Sequence, residues 1–91
     1  HGTRAYIEGL ALPEGSPVTV LEDVVTTGQS ALKAAERLKA AGYQVNGVIS
    51  LVDRQQGGAE LYQQAGLPFQ AIFTISDIQE RWRVLGLADQ A

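Results

Sequence analysis

Cysteine is absent from the 91 residues, which removes disulfides, thiolate nucleophiles and cysteine-based zinc sites together. No apolar run approaches the ~20 residues that a bilayer-crossing helix needs, and no basic segment leading into an apolar stretch opens the chain. The sequence therefore reads as soluble, with no membrane partner and a cytoplasmic location as the default. Basic residues are few: seven, at Arg4, Lys33, Arg37, Lys39, Arg54, Arg81 and Arg83, against ten acids. They are scattered rather than striped, so no nucleic-acid footprint is expected. Nor does any repeat, linker or low-complexity tract divide the chain, and its length allows one domain at most. The first residue is His1 rather than Met, and an apolar strand-like segment follows almost at once, so the chain reads as starting partway through a longer protein.

What is present is an ordered composition, 45% apolar and 19% charged, which fits a folded piece and not a disordered one. Residues 4–12 carry Tyr6 and Ile7 in weak alternation and predict a short strand, ended by the turn formers of residues 13–17. Residues 18–25, VTVLEDVV, have the β-branched enrichment of a strand buried on both faces. From Ser30 the period lengthens: Leu32, Ala35, Leu38 and Ala41, or its neighbour Ala34, predict a helix closed at Gly42. A second β-branched strand follows over 45–53, a short helix over 57–66 and a third strand over 69–75. Ser76 with Gln79 predicts a capping box, and Ile78, Trp82 and Leu85 fall on one helical face before Gly86. Ile78 and Trp82, with Tyr6, Tyr43, Tyr62, Phe69 and Phe73, are read as core packing. Alternating strands and helices predict an α/β fold, three-layer, with a mainly parallel sheet flanked by helices. Ligands of such sheets bind beyond the carboxyl ends of the strands.

Two acid-containing stretches, LEDVVTTG and LVDRQQGG, lie at such ends. Residues 26–30 occupy the turn from strand to helix, where unpaired N–H groups and the positive end of the helix dipole attract an anion. Thr26, Thr27 and Ser30 add hydroxyl donors, and Gly28 lets the backbone approach a phosphate closely. Glu22 and Asp23 stand just upstream, where ionised carboxylates accept from neutral hydroxyls. Phosphate at one end and a vicinal diol at the other describe a ribose 5-phosphate. Neither a G-x-x-x-x-G-K-[ST] nor a G-x-G-x-x-G loop is present.

An apolar strand, two acids, two apolar residues and then Thr-Thr-Gly resembles the 5-phosphoribosyl 1-diphosphate (PRPP) motif of the type I phosphoribosyltransferases. The opening HGT, the nearby IEG, VVTTGQS and SLVDRQQGG narrow the resemblance to the orotate-using branch of that family. It implies PRPP contacts from Glu22, Asp23, Val24, Val25, Thr26, Thr27, Gly28, Gln29 and Ser30, and orotate contacts from Thr26 and Arg54. A guanidinium at Arg54 suits that role, because it forks onto a carboxylate and orotate carries one. The resemblance further implies that His1 is catalytic, as the tail of a mobile loop reaching across a homodimer, and that Mg²⁺ is held mainly through PRPP. The implied reaction gives orotidine 5'-monophosphate and diphosphate. The family's loop lysines and arginine lie upstream of the His-Gly pair, outside these residues, and Gln29 stands where a small residue is common. Rival readings are a purine or uracil phosphoribosyltransferase and a non-catalytic PRPP-sensing module; Asp53-Arg54 as a local ion pair is the plain alternative to an orotate role.

Overall fold

The computed structural model describes residues 12–86; His1 and all but the last residue of the strand expected over 4–12 lie outside them. Three strands, β1 (Pro17–Val25), β2 (Gln44–Asp53) and β3 (Phe69–Thr74), alternate with three helices, α1 (Gln29–Ala40), α2 (Gly58–Gln64) and α3 (Ile75–Val84). The strands form one sheet in the order β1-β2-β3 with both pairings parallel. The predicted α/β class is therefore the observed one, with element boundaries within a residue or two of the sequence reading.

Local chemistry explains the breaks. α1 ends in a Schellman motif: Gly42 N–H donates to the Lys39 carbonyl and Tyr43 N–H to that of Leu38, both at 3.0 Å. α2 ends the same way, with Gly66 N–H on Gln63 and Leu67 N–H on Tyr62. The core comprises Val20, Val25, Val48, Ala31, Ala35, Leu38, Tyr62 and Leu67. On α1 the buried stripe is Ala31, Ala35 and Leu38, with Leu32 and Ala34 only partly buried and Ala41 exposed. Small side chains at the inward positions let α1 lie close against β1 and β2.

Three expectations are corrected. β1 is not buried on both faces: its residues alternate, so Val20 and Glu22 are buried while Leu21 is 59% exposed. Leu51 at 50% and Ile72 at 61% lie exposed on the neighbouring strands, each forgoing about half of the ~1.5–3 kcal/mol that full burial of such a side chain contributes. α1 and α2 both pack on the sheet and on each other, whereas α3 packs chiefly on β3. Second, the capping box belongs to Thr74 and Asp77, not Ser76 and Gln79. Thr74 Oγ1 accepts the Asp77 N–H at 3.1 Å and the Asp77 carboxylate accepts the Thr74 N–H at 3.0 Å. The helix starts directly at the strand's last residue, so the cap comes two positions early. Third, Ile78, Trp82 and Leu85 do share one face, but it is not core: Trp82 is 47% exposed, and no residue of α3 is buried. With Ile72, Phe73, Asp77 and Arg81 they line an open groove. Phe73 is likewise exposed, while Tyr62 is buried and Tyr43 and Phe69 pack against the core as expected.

Candidate functional site

The carboxyl ends of β1 and β2 carry the two loops that the sequence singles out, and hydrogen bonds lash them together. Arg54 N–H donates to the Val25 carbonyl at 2.8 Å and Gly58 N–H to that of Thr26 at 3.1 Å. At the second loop's turn, Asp53 is buried, and its carboxylate accepts the Gln55 N–H at 2.8 Å. Gln55 takes a left-handed φ of 59°, and its side-chain oxygen receives the Ser76 hydroxyl at 2.5 Å. Asp53 is thus the brace of this loop, and the start of α3 is tied to it.

Gly28 is the N-cap of α1, with φ 90°. Its left-handed backbone turns the chain from strand to helix within three residues. No side chain caps the helix and no acid lies in its first turn, which leaves the positive end of α1 open to an outside anion. Against this end lies a cavity of ≈ 170 Å³, lined by Glu22 and residues 24–30. Ligand pockets for whole small molecules run to about 300–1,000 Å³, so this one holds only part of such a molecule.

Eight of the nine residues expected to touch PRPP therefore meet at one cavity. The ninth, Asp23, is exposed and is not among its lining residues. Successive strand side chains point to opposite faces, so one of two adjacent acids had to face away. Glu22 is the inward one, 5% exposed, opposite the fully buried Ser50 on β2. Ser50 hydroxyl donates to the Val52 carbonyl at 2.8 Å, so it is occupied elsewhere. Burial first, and the Asp23 charge second, raise the Glu22 carboxyl above its ordinary value. Arg54 is exposed and outside the cavity lining. Among the described residues the side-chain ion pair is Arg83 with Glu80, so Arg54 is not neutralised by Asp53. His1 lies outside the described residues.

The sequence reading placed Tyr62 in the core and saw nothing more in it. Its ring is fully buried, tilted against Phe69 with centroids 5.0 Å apart. Its tip reaches the underside of the first loop: a Cβ added at Gly28 would stand 3.1 Å from the Tyr62 hydroxyl and 3.0 Å from its Cζ. Burial, then the carboxylates of Glu22 and Asp53, push the phenol up to about 12. A helical apolar spacing is the only trace of this residue in the sequence.

A parallel α/β sheet thus carries a buried carboxylate near the end of its first strand and an uncapped helix start beside it. No protein-family model matches the chain. Orotate phosphoribosyltransferase from a Nostoc species is 71% identical over 86 residues, covering 94% of the chain and 42% of the relative. The crystal structure of orotate phosphoribosyltransferase from Aeropyrum pernix superposes with TM-score 0.71 at 38% identity, covering 76% of the chain and 42% of that structure. The Mycobacterium tuberculosis enzyme in complex with PRPP superposes with TM-score 0.67 at 36% identity, covering 74% and 43%. The fold is that of the type I phosphoribosyltransferases, and over 94% of its length the chain is similar to an orotate phosphoribosyltransferase. It spans about 42% of the length of the curated relatives it matches.

Proposed function

We propose that the protein to which residues 1–91 contribute the carboxyl-terminal portion of the domain transfers ribose 5-phosphate from PRPP to a ring nitrogen of orotate, giving orotidine 5'-monophosphate and diphosphate for pyrimidine synthesis. The observation that carries this reading is the shared cavity: the buried carboxylate of Glu22 and the uncapped start of α1 open onto the same ≈ 170 Å³ space. In this reading the amides and hydroxyls of residues 26–30 take the 5'-phosphate, and Glu22 accepts from the ribose diol. Asp23 serves from the other side of the strand end. Thr26 and the unneutralised guanidinium of Arg54 take orotate, the guanidinium forking onto its carboxylate. Departure of diphosphate leaves an oxocarbenium-like ribose, so these residues act by positioning and by electrostatics rather than as nucleophiles.

The donor set fits Mg²⁺ carried by substrate rather than held in a protein cage. Among the described residues no three His, Asp or Glu side chains gather, while a diphosphate with one or two carboxylates is a usual setting for this ion. When bound, Mg²⁺ neutralises charge on the leaving diphosphate. His1 is assigned to the loop that meets the diphosphate, in a homodimer whose sites share loops. A cytoplasmic location belongs to the same proposal; no helix of the described residues is long and apolar enough to cross a membrane.

The test is turnover by the full-length protein with PRPP, Mg²⁺ and orotate, adenine or uracil in parallel. Consumption of orotate alone supports the reading; consumption of adenine or uracil in its place, or none with any base, overturns it.

A further inference from the structure

Two buried side-chain oxygens lack a hydrogen-bond partner among the described residues: Glu22 Oε1 and the Tyr62 hydroxyl. They come from β1 and α2, yet both border one loop. Glu22 lines the cavity with Gly28, and the tip of Tyr62 lies against Gly28 from beneath. A buried hydroxyl left unbonded carries a desolvation cost that a phenylalanine would not. The ring alone fills the space between Phe69 and the loop, so packing explains the six carbons and not the oxygen. The oxygen needs an acceptor, and the orphaned carboxylate oxygen of Glu22 is one.

We propose that Tyr62 is a positioning residue: its hydroxyl donates to one bridging water that in turn donates to Glu22 Oε1, which holds that carboxylate toward the cavity above Gly28. The link joins the floor of the phosphate loop to the acid beside it. That Glu22 then meets a ribose diol rests on the function proposed above; the Tyr62–Glu22 link does not. Around this pair, the charge of Asp23, on the same strand, acts on Glu22, and the charges of Glu22 and of Asp53 on β2 act on Tyr62, with no acid in the first turn of α1.

The decisive variant is Tyr62→Phe in the full-length protein, which removes one oxygen and keeps the ring. Carboxyl ¹³C titration, with the Glu22 signal assigned by its loss in Glu22→Gln, should show Glu22 titrating at higher pH in Tyr62→Phe, because a donor to the charged form has gone. PRPP and ribose 5-phosphate should bind about tenfold more weakly, the size expected for losing a hydrogen bond to a charged group. Inorganic phosphate, which meets only the loop, should bind as before. A space-filling role would move neither the titration nor the contrast between sugar phosphate and phosphate. An unchanged Glu22 titration overturns the link even if PRPP binds. A wild-type protein that binds no PRPP overturns the proposed function instead, and the titration still decides the link.

Discussion

Gly28 and Gly58, one from each loop at the carboxyl end of the sheet, approach so closely that a Cβ on Gly28 would stand 2.9 Å from the Gly58 Cα. A Cβ on Gly58 in turn would meet Val25 Cγ1 at 2.4 Å and the Thr26 carbonyl at 3.0 Å. Two glycines are needed because two backbones, not two side chains, form this contact. Thr-Thr-Gly and Gly-Gly are thus halves of one joint, closed by the Gly58 N–H on Thr26.

Gly58→Ala should therefore destabilise the full-length protein by about 1–3 kcal/mol, the range for forcing an extra methyl into a packed interior. Since the clash falls on Val25 and Thr26, PRPP affinity should drop as well. Urea denaturation and calorimetric titration check both; an unchanged midpoint would show that the loops separate freely.

Glu22 should give stability and binding opposite pH dependences. Its folded-state pKa is raised above the ordinary carboxylate value, by burial first and the Asp23 charge second, so the fold favours the protonated form. That contribution is fully present below the unfolded value and is lost as pH rises through the folded one. Glu22→Gln should accordingly be more stable than wild type at neutral pH, with the gap closing on acidification through that window. PRPP binding by wild type should weaken over the same window, as the carboxylate loses its charge. Parallel melting and binding curves across acid pH decide it, and a wild type more stable than Glu22→Gln at neutral pH would contradict the burial argument.

Arg54→Ala should raise the KM for orotate by one to two orders of magnitude, about what a bidentate charged contact contributes, with little change in melting temperature. Its backbone N–H, held by Val25, survives the substitution, and its side chain is exposed. Arg54→Lys should rescue only part of the loss, since an ammonium cannot fork. Unchanged orotate kinetics in Arg54→Ala would remove this residue from the base site.

Thr74→Ala should cost about 1 kcal/mol by removing the cap of α3. Ser76→Ala should cost less, because its hydroxyl serves Gln55 and not the helix start. Chemical denaturation of the two variants side by side would settle the assignment; the reverse order would restore the cap to Ser76.

The order of strands and helices, the glycines that close α1 and α2, and the loop bearing Thr-Thr-Gly were legible in the sequence, because each is written in the spacing or turn chemistry of neighbouring residues. The acid pair was legible too, but not its division. Alternation dictates that Glu22 and Asp23 diverge, whereas which one faces inward depends on where α1 and α2 settle on the sheet. The same placement left Leu21, Leu51, Ile72 and Trp82 uncovered, although their patterns match those of buried residues. Only the tertiary structure set Gly28 on Gly58 and brought the Tyr62 hydroxyl beneath the loop. Those contacts join residues far apart in sequence, and local periodicity says which side a residue takes but not what it meets there.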